Sequence, residues 1–118
     1  TQDKIIIVDE NQDYRETLQE FLLVKDSIDV YVCSDIFEAG VLLGHHRASV
    51  LVYDHNTITL TDNVYGFLQN QLARLVHVVA LATEYPVPPS KQVSNYIYLN
   101  KSKSIREVAI SLINLVTV

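Results

Sequence analysis

The chain has 118 residues, of which 48% are hydrophobic, so it is long enough for one domain with one core and too short for two. Its formal net charge of -5 predicts a mildly acidic surface, which argues against direct nucleic-acid binding because such binding depends on clustered Lys and Arg. The one cysteine, Cys33, has no partner for an internal disulfide, which is typical of proteins of a reducing compartment.

The first half of the chain alternates β-rich runs with patterns typical of helices. The β-branched run Ile5–Val8 predicts a strand buried on both faces, and apolar residues at helical spacing predict a helix over Asn11–Val24. Asp29–Ser34 predicts a second strand, and Ile36–Leu43 predicts a second helix, ended by a glycine and a histidine pair. The apolar run Ser49–Tyr53 predicts a third strand.

The second half continues the alternation with one interruption. Val64–Leu75 predicts a third helix and Val76–Leu81 a fourth strand. Tyr96–Leu99 predicts a fifth strand, and a capping box at Ser104–Glu107 opens a last helix. Between the fourth and fifth strands, three prolines disfavour helix, so we expect the fourth of five helices to be short or missing.

This alternation predicts an α/β fold, a doubly wound sheet of five parallel strands with helices on both faces. No stretch has linker composition, so residues 1–118 are expected to form one domain. Because the chain begins at Thr1 without methionine and ends abruptly, we expect it to be cut from a longer protein. No apolar run reaches membrane-span length and no basic-then-apolar leader opens the chain, so no membrane contact and a cytoplasmic location are expected.

Charged and polar residues follow the predicted strands. Asp9 and Glu10 follow the first strand, Asp54 the third, Thr83 the fourth and Lys101 the fifth. Ligands of open parallel sheets bind outside the carboxyl ends of the strands, so we expect a site at this edge. Three carboxylates close together are unfavourable unless neutralised, and a hard cation with oxygen ligands would do so together with Lys101. The pattern therefore favours a Mg²⁺ site.

The chain resembles response-regulator receiver domains over essentially its whole length. The residues that carry the resemblance are Asp9, Glu10, Asp54, Asn56 and Lys101. It implies a flavodoxin-like fold with strand order 2-1-3-4-5. It also implies that Asp54 is the phosphoacceptor, that Mg²⁺ is held by Asp9, Glu10, Asp54 and the carbonyl of Asn56, and that Lys101 contacts the phosphoryl oxygens.

Partners and function follow from the same resemblance. A histidine kinase or phosphotransfer protein would donate the phosphoryl group, and the domain would act as a conformational switch in two-component signalling. A hydroxyl after the fourth strand, here Thr83, and an aromatic residue, here Tyr98, would couple phosphorylation to the switch. The domain would not be an enzyme, because it would assist only its own phosphorylation and dephosphorylation. A homodimer is a further partner that the resemblance leaves open.

Departures from the receiver pattern support an alternative function. Glu10 stands where the pattern usually has aspartate, Ala82 aligns with the hydroxyl position so that Thr83 falls one place late, and Ser102 replaces a proline after Lys101. Together with the shortened fourth helix, these departures indicate an atypical receiver. The alternative is a degenerate receiver that is not phosphorylated and serves as a dimerisation or protein-docking module.

Two other functions are disfavoured by the residues. A flavin or nucleotide enzyme of this fold needs a Gly-rich or Ser/Thr-rich phosphate loop after the first strand, where this chain has Asp9 and Glu10. A histidine metal site at His45, His46 or His55 would need a Cys or a further His at ligand spacing, which the sequence lacks. Exposed loop histidines are the expectation.

Overall fold

A computed structural model of the chain describes residues 3–58, 70–72, 74–84 and 95–117. The strands are β1 (Asp3–Val8), β2 (Ile28–Cys33), β3 (Val50–Asp54), β4 (His77–Ala82) and β5 (Tyr96–Asn100). The helices whose full bounds fall in these residues are α1 (Gln12–Leu22), α2 (Ile36–His45) and α3 (Ile105–Thr117).

The five strands form one sheet in the order β2-β1-β3-β4-β5, and every neighbouring pair is parallel. Ile6 of β1 aligns with Tyr31 of β2 on one side and Leu51 of β3 on the other, which places β1 inside the sheet. The expected strand order and doubly wound class are confirmed. Because all strands point the same way, their carboxyl ends form one edge, as parallel pairing requires.

Alternate residues of the central strands feed two hydrophobic cores on opposite faces of the sheet. One core joins Ile6, Leu51 and Val78 to α2, whose Ile36 and Ala39 are buried. The other core lies under α1 and α3, and its strand and helix members are Ile5, Ile7, Ile28, Val30, Val50, Val52, Val79, Leu81, Leu18, Leu22, Val108, Ala109 and Leu112. Burial of the inner strands on both faces explains their continuous apolar runs.

Side-chain caps fix the starts of α1, α2 and α3. The amide oxygen of Asn11 accepts a hydrogen bond from the main-chain N–H of Tyr14, 3.0 Å away, at the start of α1. Asp35 caps α2 in the same way. The predicted capping box of α3 is confirmed, because the main-chain N–H of Glu107 donates to the hydroxyl of Ser104 at 3.2 Å. Caps of this kind hold the loops that leave the sheet edge.

Several element limits differ from those expected from the sequence. α1 ends at Leu22, and α2 continues through the predicted stop to His45, because the main-chain N–H of His46 donates to Leu42 and keeps the last turn closed. Of the third predicted helix, Val64–Leu75, the structure describes residues 70–72, which are helical, and residues 74 and 75, which are not, so the predicted end at Leu75 is wrong. The stretch expected to hold a short or missing fourth helix, residues 85–94, lies outside the described residues. In the described part of the chain, no helix has the length and apolarity needed to cross a bilayer.

Candidate functional site

The backbone brings Asp9, Asp54 and Lys101 to the same edge of the sheet. Asp54 is the last residue of β3, and Asp9 follows β1 with its N–H bonded to the carbonyl of Cys33 at 3.1 Å. Lys101 follows β5, and its N–H bonds to the carbonyl of Ala82 at 2.9 Å. Main-chain pairing with the neighbouring strand therefore continues one residue beyond β1 and β5 and fixes where both side chains start.

The ammonium group of Lys101 bridges the two carboxylates. Its Nζ lies 2.8 Å from Oδ2 of Asp9 and 3.1 Å from Oδ1 of Asp54. The side chains of Asp9 and Asp54 are only 2% and 4% exposed, and that of Lys101 is 14% exposed. A buried charge left without a partner is strongly destabilising, so this cation offsets the cost of burying two carboxylates next to each other.

Each oxygen of the two buried carboxylates has a donor from the protein. Oδ1 of Asp9 accepts the N–H of Asn11 at 2.9 Å, while Oδ2 takes Lys101. Oδ1 of Asp54 accepts the N–H of Asn56 at 3.2 Å in addition to Lys101, and Oδ2 accepts the hydroxyl of Thr57 at 2.7 Å. These hydrogen bonds fix the orientation of both carboxylates.

Tyr14, in the first turn of α1, covers the lysine. The Lys101 ammonium lies 4.3 Å from the centre of the Tyr14 ring, within cation–π range. The buried hydroxyl of Tyr14 has no hydrogen-bond partner among the described residues. Burial, followed by the negative charges of Asp9 and Asp54, raises the pKa of Tyr14 to about 12. The hydroxyl therefore stays protonated and available as a donor.

Tyr14 and Thr57 were missed by the sequence reasoning. Tyr14 fits the apolar spacing of α1, so its proximity to the sheet edge was hidden within an ordinary helical pattern. Thr57 was given no role in the sequence analysis, although a hydroxyl three residues after a strand-end Asp can hydrogen-bond back to that carboxylate. That short-range spacing is the signal that could have identified Thr57.

The other predicted site residues lie at the same edge, but most of their side chains are exposed. Glu10 and Asn56 are exposed, and Asn56 contacts Asp54 through its main-chain N–H. Ala82 is the buried last residue of β4, and Thr83 follows it with an exposed side chain. Tyr98 donates its hydroxyl to the carbonyl of Ala82 at 3.1 Å, which ties β5 to the end of β4. Lys101, Asp9 and Asp54 thus form the centre of the site.

The donor set agrees in kind with a magnesium site. Mg²⁺ binds one or two carboxylates and fills its remaining positions with water and phosphate oxygens, and Asp9 and Asp54 offer two buried carboxylates. Across the described ranges, however, no three His, Cys, Asp or Glu side chains are grouped closely enough to hold a metal, and Glu10 is exposed. An ion at this edge would compete with Lys101 for the same oxygens.

Two residue types considered as candidates lie apart from this chemistry. Cys33 is buried at the end of β2, and burial, reinforced by Glu38 and Asp35, raises its pKa to about 12, so its thiol is unreactive at neutral pH. His55 is half-buried against Tyr53, with ring centres 6.0 Å apart, and is not the exposed loop residue expected. Its main-chain N–H bonds to Leu81, which explains why the loop stays against the sheet.

Comparison with known proteins gives structural but not sequence matches. The sequence matches no protein-family model, and no curated protein sequence matches it. The chemotaxis protein CheY4 of Vibrio cholerae has a similar structure, with a TM-score of 0.74, 21% identity, and coverage of 98% of this chain and 100% of that chain.

Two further similar structures come from different proteins. One is a response regulator receiver modulated diguanylate cyclase from Pelobacter carbinolicus, with a TM-score of 0.70, 19% identity, and coverage of 96% of this chain and 91% of that one. The other is a receiver domain protein from Bacillus halodurans, with a TM-score of 0.70, 16% identity, and coverage of 98% and 97%. Together with the observed strand order, these similarities show that the chain has the flavodoxin-like fold of CheY-like response-regulator receiver domains.

Proposed function

We propose that the chain is a two-component receiver domain in which Asp54 accepts a phosphoryl group from a histidine kinase or phosphotransfer protein. The observation that carries this proposal is the buried arrangement of Asp54, Asp9 and Lys101 at the carboxyl edge of a receiver fold. A structural core has no need for two buried acids and a lysine at this position. Their chemistry suits transfer to a carboxylate, which needs charge neutralisation and positioning more than a general base.

In the proposed phosphoryl transfer, the oriented carboxylate of Asp54 is the nucleophile. An oxygen of Asp54 attacks phosphorus, an acyl phosphate bond forms, and the bond from phosphorus to the donor nitrogen breaks with its electron pair leaving on the imidazole. Thr57 and Asn56 fix the plane of the carboxylate before attack. Lys101 turns from the acid pair toward the incoming phosphoryl oxygens, where its charge offsets the growing negative charge.

Mg²⁺ would supply the remaining positive charge. Asp9, Asp54, Glu10 and the main-chain carbonyl of Asn56 would hold it, and the ion would bind phosphoryl oxygens. The N–H of Asn11, 2.9 Å from Oδ1 of Asp9, orients this carboxylate. The domain has no turnover of its own on this proposal, since the phosphoryl group remains on the chain until hydrolysis.

A second candidate function has a specific observation in its favour. Lys101 already bridges both buried carboxylates, every oxygen of the pair has a protein donor, and Glu10 is exposed. This self-contained network would suit a degenerate receiver that keeps the fold for dimerisation or protein docking. Mg²⁺ binding at this edge separates the two candidates, because the docking module has no need of the ion.

The test is a series of heteronuclear NMR spectra of the whole chain, first with Mg²⁺ and then with Mg²⁺ and beryllium fluoride, an analogue of a phosphoryl group. Shifts at the amides near Asp9, Asp54 and Lys101 are expected in the wild type. Asp54→Asn should lose the beryllium fluoride response. If the wild-type spectrum does not change with millimolar Mg²⁺ and beryllium fluoride, Asp54 is not a phosphoacceptor. The second candidate, a receiver fold kept for dimerisation or protein docking, would then be favoured.

A further inference from the structure

We propose that the chain has a second ligand site, an anion site for a small organic phosphate, at the edge of the sheet opposite Asp54. A cavity of about 380 Å³ lies there, between the end of α2, the start of β3 and the start of β4. Arg47 and Arg74 line it, together with His45 and His46. This inference is independent of the proposed phosphoacceptor function, since it uses none of the same residues.

The register of the sheet places the segments that carry the two arginines beside each other. Val50 of β3 aligns with His77 of β4. Arg47 comes three residues before Val50, and Arg74 comes three residues before His77. The carbonyl of Ser49 accepts the N–H of Val76 at 2.8 Å, which joins the two entering loops. Two segments 27 residues apart along the chain therefore each place one exposed arginine in the lining of the same cavity.

Both arginines are available for a ligand. Within residues 3–58, 70–72, 74–84 and 95–117, the ion pairs all involve Lys101, so neither Arg47 nor Arg74 has a carboxylate partner there. No Asp or Glu is found among the described residues that line the cavity. A cavity lined by arginines without an acidic residue is unexpected in a chain with 14 acidic and nine basic residues. The two arginines therefore create a local positive field on an acidic protein.

One effect opposes an anion and is too weak to prevent its binding. α2 ends at the cavity, and a helix C-terminus carries roughly half a negative charge. Two guanidinium groups carry two full positive charges, and the N–H of His46 already satisfies the carbonyl of Leu42 in that last turn. Guanidinium groups are the side chains best suited to bind a phosphate in a bidentate manner.

The size and lining of the cavity indicate an organic phosphate. The volume falls within the range of roughly 300–1,000 Å³ usual for small-molecule sites, which is more than a phosphate ion needs. Leu75 and Ala48 are buried and supply an apolar wall for the carbon part of a ligand. The ring of His46 is stacked on Tyr31, with ring centres 4.0 Å apart, so this side of the cavity is already ordered.

The test is a titration of the whole chain with adenosine 5′-monophosphate, without Mg²⁺, followed by heteronuclear NMR. Inorganic phosphate and adenosine serve as the partial ligands. We expect shifts at amides 43–48 and 71–75 with the nucleotide, weaker shifts at the same amides with phosphate, and none there with adenosine. Arg47→Gln combined with Arg74→Gln should weaken binding more than about tenfold, whereas Arg106→Gln, on α3 and outside the cavity, should leave it unchanged.

Three outcomes would overturn the proposal. These are no shift at the cavity amides at millimolar nucleotide, binding of adenosine as tight as that of the nucleotide, and binding unaffected by the double substitution in a variant whose spectrum shows the native fold. Inorganic phosphate binding more tightly than the nucleotide would overturn the assignment to an organic phosphate. Asp54→Asn should bind the nucleotide as the wild type does. A failure of the proposed anion site can therefore be distinguished from a failure of the proposed phosphoacceptor function.

Discussion

Lys101 Nζ lies 3.1 Å from Oδ1 of Asp54, and the same nitrogen lies 2.8 Å from Asp9. The residue proposed to stabilise the transferred phosphoryl group thus also neutralises the acceptor before transfer. These two roles compete, because one ammonium group cannot remain on both carboxylates and also follow the phosphoryl oxygens. The strength of the Lys101 contact therefore bears on both stability and phosphorylation.

Lys101→Met should destabilise the fold by about 3–5 kcal/mol, because it leaves two nearly buried carboxylates without a cation. Urea unfolding at neutral pH measures this loss. Lys103→Met is the matched control, since Lys103 is exposed, and should change stability by less than about 0.5 kcal/mol. Mg²⁺ should stabilise the Lys101→Met protein more than the wild type. A loss below about 1 kcal/mol would mean that the acid pair does not depend on Lys101.

Tyr14 is expected to hold Lys101 through its ring and not through its hydroxyl. Tyr14→Phe keeps the ring and removes a buried hydroxyl that has no partner among the described residues, so stability should change by less than about 1 kcal/mol. Tyr14→Leu should lose roughly 0.5–2 kcal/mol with the cation–π contact. Proton NMR of the Lys101 side chain provides the check, since its ring-current shift should persist with Phe and vanish with Leu. Equal shifts in both variants would contradict this contact.

We expect the hydroxyl of Thr57 to slow the phosphorylation of Asp54. This hydroxyl donates a hydrogen bond to Oδ2 of Asp54 at 2.7 Å, which makes the carboxylate a weaker nucleophile. Loss of one such hydrogen bond, worth about 1 kcal/mol, corresponds to a rate increase of about fivefold for Thr57→Val. The rate with acetyl phosphate and Mg²⁺ can be followed by mass spectrometry. Thr57→Ser retains the hydroxyl and should match the wild type. A slower Thr57→Val protein would show that the hydroxyl assists transfer.

Cys33 should make the fold less stable at high pH. Burial, reinforced by Glu38 and Asp35, raises its pKa from 9.0 to about 12, so the unfolded chain loses the thiol proton first. The contribution of the protonated Cys33 thiol to the free energy of unfolding is therefore fully present below pH 9. It is lost as pH rises toward 12. Urea unfolding should show a shallower decline for Cys33→Ala than for the wild type. Parallel declines for the two proteins would contradict the shifted pKa.

The strands and the central acid–lysine set could be predicted because each depends on local sequence. β-branched runs define the strands, and Asp9, Asp54 and Lys101 follow directly from where those runs end. The contact of Tyr14 with Lys101 joins residues 87 positions apart, so no local pattern contains it. The convergence of Arg47 and Arg74 depends on the β3–β4 register, which the apolar runs alone do not fix.

The ends of helices were harder to place for a similar reason. Gly44 predicted a stop, yet α2 continues to His45 because the ring of His46 stacks on Tyr31 and its N–H closes the last turn. His55 looked like an exposed loop residue and is half-buried, because its N–H pairs with Leu81 of β4. In both cases tertiary contacts override a local preference.

Intact-protein mass spectrometry after incubation with acetyl phosphate and Mg²⁺ shows whether Asp54 is the phosphoacceptor. We expect addition of one phosphoryl group to the wild type, none to Asp54→Asn, and none when EDTA removes Mg²⁺. No phosphoryl addition to the folded wild type at millimolar Mg²⁺, or equal addition to Asp54→Asn, would contradict the proposal that Asp54 is the phosphoacceptor.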